Sequence, residues 1–467
     1  MKKIILSVAL IFATSMLFAQ STATTTQSGD LQLSEVNQTG SNTATVTQNQ
    51  TGTPSNNPAY MNNAVVNQSG GDGNTATILQ DELGNGNKGY NDAIIDQIGS
   101  GNTSTQTTYA PNSNSGQDVE AWQEGIGNTV TQNIQGGYTD YFYVKQTGND
   151  NTATQTGTGI TTNTARIFQD GTNNTATQTL AGSNNGYYGG IYSNERILIE
   201  QNGDDNMATQ TFTGHGSSHG NSADINQFGN NNTATQEGNG RNLYADFNQI
   251  GNNNTASSKQ TGEAQQVFVD QMGDKNQATV WQDHEGNFAD VNQNGYSDKA
   301  FVNQKYGSNN SATITQNGAT GGTTTLYPGV NNYAVVFQSG SNNQTTGTQT
   351  GYNNFLGTSQ TVGSNNNITA TQIGNDSSFD SSYVFDTTGW GYNNYASLSQ
   401  IGNGNNLTLY QNGTDNYAAS IQTGNSNFGS ISQTGNNNFG TLSSTGNGHS
   451  GTITQTGNMN QSLITQN

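Results

Sequence analysis

The sequence predicts an all-β fold, a β-solenoid of about 18 stacked strand–turn–strand coils, each a 22-residue repeat built of two 11-residue halves. Three observations predict it. Glutamines recur every eleven residues near the C-terminus and at about twice that spacing upstream. The residues before each glutamine alternate between small or aliphatic and polar types, the period-two signature of a strand. Runs of Gly, Asn and Asp, which tolerate positive φ, separate one alternating stretch from the next.

From the N-terminus, residues 1–19 place two lysines before an apolar run that finishes at Ala19, the layout of a cleavable secretory signal. The mature chain then begins at Gln20, and segment 20–35 precedes the first clear repeat. Repeats with loop inserts occupy 36–360, irregular repeats with an insert 361–399, and regular 11-residue repeats 400–467. Without Lys2 and Lys3 the chain carries 9 basic and 31 acidic residues, a balance that disfavours nucleic acid or an anionic membrane as partner. No apolar stretch of the mature chain is long enough to span a bilayer. There is no cysteine, so neither disulfides nor thiolate metal sites support the fold.

Only 29% of residues are hydrophobic, which alone would suggest disorder. Charged residues make up only 9%, however, and prolines number 4, unlike the charge- and proline-rich composition of disordered chains. Periodicity decides the matter. Over 400–467, Gln400, Gln411, Gln422, Gln433, Ser444, Gln455 and Gln466 stand eleven apart, each followed five residues later, where the chain continues, by Asn405, Asn416, Asn427, Asn438, His449 and Asn460. Upstream, Gln227, Gln249, Gln271 and Gln293 stand 22 apart, and Gln316, Gln338 and Gln360 extend the series at 23, 22 and 22. Before them Gln38, Gln68, Gln97, Gln123, Gln146, Gln169 and Gln201 head similar units. The excess spacing there falls in Gly-, Asn-, Ser- and Tyr-rich inserts such as Thr53–Asn63, Thr107–Gln117 and Ala181–Asn194, which read as loops.

A lone strand–turn–strand buries too little to be stable. Stacking the coils about 4.8 Å apart would pair every strand with its copies above and below and align identical inward residues in columns. Gly429, Gly440, Gly451 and Ser462 beside Ile431, Leu442, Ile453 and Ile464 would form a thin dry interior. Unsatisfied amides would cost several kcal/mol each there. In a column each Gln or Asn can donate to one neighbour and accept from the other. The expected ladder residues are the glutamines named above together with Asn232, Asn254, Asn405, Asn416, Asn427, Asn438 and Asn460.

Units such as QIGNGNNLTLYQ (400–411), QEGIGNTVTQ (123–132), QFGNNNTA, QIGNNNTA, QDGTNNTA and QTGNDNTA resemble the curlin repeat of bacterial curli fibre subunits, over about nine-tenths of the mature chain. The resemblance implies an exported subunit that self-assembles into functional amyloid on the cell surface and supports adhesion, aggregation and biofilm matrix. It implies other curlin-like subunits and an outer-membrane export apparatus as partners, and segment 20–35 sits where such proteins carry export targeting. In that family the repeat Gln and Asn serve nucleation and templated growth, which maps onto Gln38, Gln227, Gln249, Gln422, Asn232, Asn254 and Asn427. Two departures stand out: curli subunits are much shorter, and several units read N-T-A-T-Q-T, with Gln two residues early at Gln155, Gln178 and Gln236.

Nothing in the chain points to catalysis or a cofactor. The histidines are scattered, and His215 and His219 share a Gly/Ser insert unsuited to a ligand-presenting helix. Two other functions stay open. Thr43/Thr45, Thr75/Thr77, Thr103/Thr105, Thr152/Thr154, Thr175/Thr177 and Thr233/Thr235 would project as T-x-T columns similar to those of ice-binding solenoids. Alternatively, a monomeric surface adhesin would attach through the Tyr-rich inserts Tyr138–Tyr143 and Gly186–Tyr192.

Overall fold

The computed structural model describes residues 20–29, 32–50, 62–82, 90–110, 116–136, 140–159, 163–182, 197–214, 220–318, 332–351, 353–361, 363–374 and 394–467. Residues 1–19, His215, His219 and the insert 186–192 lie outside them. The chain forms two compact units, Met1–Ser183 and Asn184–Asn467. Among the described residues the first contributes 13 strands and the second 22, and none is helical.

Each unit is a parallel β-solenoid. Within each unit, strands pair in parallel with the strand two places on in the chain, so alternate strands build two sheets, one on each side of a thin interior. In the second unit Phe428–Thr434 stacks on Ser450–Thr456 with Gly429 opposite Gly451, Ile431 opposite Ile453 and Gln433 opposite Gln455. On the other sheet Phe439–Thr445 lies between Asn416–Thr423 and Gln461–Gln466. In the first unit Tyr90–Ser100, Gly116–Ile126 and Asp140–Asn149 stack with Gln97, Gln123 and Gln146 in register.

Alternation decides what is inside. In the strand Ser222–Phe228, Ala223, Ile225 and Gln227 are fully buried while Asp224 and Asn226 face outward. The apolar part of the interior consists of such pairs, one small residue and one aliphatic per half-coil. In the C-terminal region Leu398, Leu407, Leu409, Ala418, Ile431, Leu442 and Ile453 form one cluster, with Ile464 partly buried against it. Burying one such aliphatic side chain stabilises by about 1.5–3 kcal/mol, so the interior gains its stability through the number of coils rather than through thickness.

The outer faces carry columns of their own. Rings of Phe355, Tyr395, Tyr417 and Phe439 lie on consecutive strands of one sheet and stack nearly parallel, with centroids 4.8, 5.1 and 4.9 Å apart. That interval is the strand spacing itself.

Strand pairing reaches further than the sequence suggests. Thr22–Ser28 pairs residue for residue with Thr43–Asn49, within a segment that the repeat pattern leaves outside the solenoid. Its glutamine, Gln27, stands above Gln48 and precedes Gln38 by eleven residues, but Gln32 takes the asparagine place of the repeat, which hides the unit from the pattern. Strands also invade the expected inserts: Thr107–Ala110 belongs to the strand Thr103–Ala110, Gly116 and Gln117 open the next, and Asn62 and Asn63 begin the strand Asn62–Ser69.

The Gln316 to Gln338 step needs correction as well. Gln316 sits over Gln349 on one sheet, whereas Gln338 lies between Gln304 and Gln360 on the other. A half-coil plus an insert imitates the length of one full coil. No helix among the described residues is long and apolar enough to cross a membrane.

The turn after Gln422 shows why glycine recurs. Gly424 adopts φ 117°, and a Cβ there would collide with the carbonyl oxygen of Gly446 one coil on. Two residues later Ser426 takes the left-handed conformation, φ 56°. Gly424→Ala therefore combines a strained conformation, about 1–3 kcal/mol, with a steric block between coils. The expected result is a lower denaturant midpoint, whereas Gly448→Ala, whose Cβ would meet nothing within 4 Å, costs less.

Candidate functional site

The chemistry of the interior lies in its carboxamides. On one sheet of the first unit each glutamine Nε2 donates to Oε1 of the glutamine one coil on, from Gln38 through Gln68, Gln97, Gln123 and Gln146 to Gln169, at 2.6, 2.7, 2.8, 3.0 and 2.8 Å. In the second unit the corresponding column runs Gln201, Gln227, Gln249, Gln271, Gln293, Gln316, Gln349, Gln372, Gln411, Gln433, Gln455, with every link between 2.8 and 2.9 Å. The opposite sheet carries Gln260, Gln282, Gln304, Gln338, Gln360, Gln400 and Gln422 in the same way. There Ser444 takes the next place, and its hydroxyl donates to Gln466 Oε1 at 2.9 Å.

The second N–H of each Nε2 reaches across the interior to the backbone. Gln433 donates to the Tyr417 carbonyl at 2.9 Å and Gln249 to that of Thr233 at 3.1 Å. These glutamines therefore tie coil to coil and sheet to sheet at once. Gln433 and Gln249 are fully buried.

The asparagine columns work differently from the simple ladder expected. Asn438 donates both its main-chain N–H and its Nδ2 to Asn416 Oδ1, at 3.2 and 3.0 Å, and Asn460 repeats this on Asn438. Asn254 donates its N–H to Asn232, Asn427 its N–H to Asn405, and Asn405 both groups to Asn366. Each Nδ2 also donates forward to the glycine carbonyl of the next turn, as from Asn232 to Gly251 at 2.8 Å and from Asn427 to Gly446 at 3.0 Å. Between side chains of one column, glutamines donate to the coil after and asparagines to the coil before. His449, in an asparagine place, keeps only the main-chain bond to Asn427 Oδ1.

A feature missed from sequence is that the glutamine column of one sheet changes place. Gln48 and Gln80 stack in register, but the next coil puts Thr108 opposite Gln80 and Gln106 opposite Ile78. Gln106, Gln132, Gln155 and Gln178 then form a ladder displaced by two residues. In the second unit the reverse shift occurs: Ser258 stands opposite Gln236, and Gln260 opposite Gly238. The early glutamines of the N-T-A-T-Q-T units are thus inward ladder residues that have exchanged places with the aliphatic, as Gln178 with Leu180, and Gln132 in N-T-V-T-Q-N has done the same with Ile134.

Each shift leaves a buried acceptor without a partner, Gln106 Oε1 in one unit and Gln260 Oε1 in the other. The hydroxyls of Thr108 and Ser258 are also unpaired. The sequence signal was present: a swap of Gln and aliphatic within an unchanged T-A-T frame.

Outward, threonines form two unbroken columns in the first unit, one from Thr22 through Thr43, Thr75, Thr103, Thr129 and Thr152 to Thr175, the other two residues further along each strand. Carboxylates gather on its other face. Asp118 stands opposite Asp92, and burial, then repulsion from Asp92 and Glu120, pushes its pKa up to about 6. Among the described residues no three histidine or carboxylate groups are placed to hold a metal.

Gln132→Leu removes a donor and an acceptor from the middle of a ladder and leaves Gln155 Oε1 unsatisfied. Gln106→Leu leaves only Gln132 Oε1 so and removes an atom that already lacks a partner. At about 1–3 kcal/mol per orphaned buried group, denaturant titration is expected to show the larger loss for Gln132→Leu.

Residues 285–318 and 424–457 match the family model of the Curlin associated repeat. No curated protein matches the chain.

Proposed function

We propose that this curlin-repeat protein is a secreted structural subunit of curli-like extracellular fibres, adding to one another by the same strand stacking that builds each coil. The observation that carries the reading is the self-complementary coil. Its two edges present the same parallel register, the same Gln and Asn positions and the same turn geometry, so a coil that accepts the next coil of its own chain accepts one from a second copy equally well. The curlin-associated repeats at 285–318 and 424–457 support the same reading. Self-association, with other curlin-like subunits and an outer-membrane export apparatus, is the partnership this implies, and adhesion, cell aggregation and biofilm matrix formation are the roles it serves.

The acidic surplus sets limits on assembly. A formal charge of −20 keeps the sides of neighbouring solenoids apart and leaves the uncharged coil edges as the favoured contact.

A second reading rests on the threonine columns. Seven neighbouring strands of one sheet of the first unit present Thr at two outward positions each, a flat hydroxyl-and-methyl lattice suited to ordered water at an ice surface. Sheet propensity alone would favour Thr outward, but without requiring two unbroken columns.

Purified mature protein, aged at high concentration, is expected to form fibres with a meridional reflection near 4.8 Å and to seed fresh monomer. A chain that stays a folded monomer would contradict the fibre reading and favour the adhesin. Thermal hysteresis in that monomer, abolished by lysine at Thr175 and Thr177, would establish the ice-binding reading instead.

A further inference from the structure

Two places in the asparagine columns hold aspartate, one in each unit. Asp140 stands between Gln117 and Asn163, and Asp298 between Asn276 and Asn332. Both are buried, with 4% and 0% of their surface exposed. An asparagine in such a column accepts through Oδ1 and donates through Nδ2. Aspartate keeps the accepting half: Asn163 donates its N–H and Nδ2 to Asp140 Oδ1 at 2.9 and 3.1 Å, and Asn332 does the same to Asp298 Oδ1 at 3.2 and 3.0 Å.

The donating half depends on a proton. Asn276, directly before Asp298 in the column, donates Nδ2 to the carbonyls of Gly295 and Met272. An ionised Asp298 has nothing to donate, and its buried Oδ2 meets no side-chain donor, only the main chain of Gly318 beside it. A protonated carboxyl restores one donor, as an asparagine would provide.

Among the described residues no charge compensates either group. The residues packed against Asp140 are Gln117 on the coil before and Asn163 on the coil after; the carboxylate of Asp118 belongs to the outer face, as do Tyr141 and Lys145. Around Asp298 lie Asn276, Asn332 and Gly318, while Lys275 and Lys299 are exposed and Asp274 sits at the turn surface.

We propose that Asp140 and Asp298 are proton-operated joints in the carboxamide columns, which close the column when protonated and loosen the stacking of the coils they connect when ionised. The inference concerns the solenoid itself and does not require that the chain form fibres. Burial pushes both carboxyls up to about 7, against hydrogen bonds that favour ionisation, from Asn163 to Asp140 and from Asn332 and the Gly318 main chain to Asp298.

The sign follows from linkage. A carboxyl that holds its proton more tightly in the folded chain adds stability that is complete below its unfolded pKa of about 3.9 and is lost as pH rises through about 7. The chain therefore stacks more firmly in mildly acidic surroundings. Asp118 titrates in part of the same window, so the diagnostic quantity is a difference between proteins rather than one protein's pH profile.

The test compares the full chain with its Asp140→Asn/Asp298→Asn variant by denaturant titration from about pH 4 to pH 9. The two midpoints are expected to coincide at the acidic end and separate progressively through neutrality, with the variant the more stable. A difference that does not change with pH, or a variant less stable at the alkaline end, would overturn the proposal. As an independent measure, the carboxyl carbons of Asp140 and Asp298, assigned by their loss in the single variants, should titrate near neutrality in the NMR spectrum. Midpoints in the ordinary carboxylate range near about 4 would contradict it.

Discussion

A buried carboxamide is tolerable only if its donors and acceptor are all met, and the rest of this structure follows from the way that demand is satisfied. Glutamine can meet it from a neighbouring glutamine only when the two stand one strand spacing apart and point the same way, which requires parallel strands in exact register. A slip of one residue would turn the whole glutamine column outward. The period of 22, the alternation before each glutamine and the recurrence of Gly and Asn in the turns are consequences of keeping that register. Asparagine performs the second task, stapling the turn of one coil to the turns before and after it through both Oδ1 and Nδ2.

This arrangement explains how so polar a chain acquires an ordered interior. The apolar contribution of each half-coil is one small residue and one aliphatic, too little for a conventional core, yet it repeats with every coil. It also explains where variation is permitted. Connections between strands can lengthen without disturbing register, as between Thr152–Thr158 and Thr164–Thr172, and outward positions are free to become threonine, aromatic or acidic. Inward positions vary less: single replacements such as Ser444, His449 and Asp298 occur, and the exchange of Gln with an aliphatic two residues away leaves an acceptor unpaired at each boundary.

Much of the fold was legible because the repeat is strict where it matters. Gln400 to Gln466 at intervals of eleven, with Asn405 to Asn460 in phase, reveals both halves of the coil and their inward face. The less legible parts have physical reasons. Gln316 and Gln338 are separated by a coil's length although they lie on different sheets, because spacing counts residues and not strands. The displaced ladder from Gln106 to Gln178 appeared as irregularity, since glutamine and aliphatic are both inward and parity alone cannot distinguish them. The direction of the asparagine bonds depends on turn geometry that no spacing encodes. Asp140 and Asp298 read as ordinary acids until their neighbours in the column were known.

Side-chain amides, as much as backbone ones, hold successive coils together. Hydrogen exchange of assigned side-chain carboxamides tests this most directly. The Nε2 protons of Gln411 and Gln433 are expected to exchange as slowly as the strand amides beside them, while the Nδ2 protons of exposed Asn294 exchange rapidly. Rapid exchange of the Gln411 and Gln433 carboxamides within protected strands would contradict it.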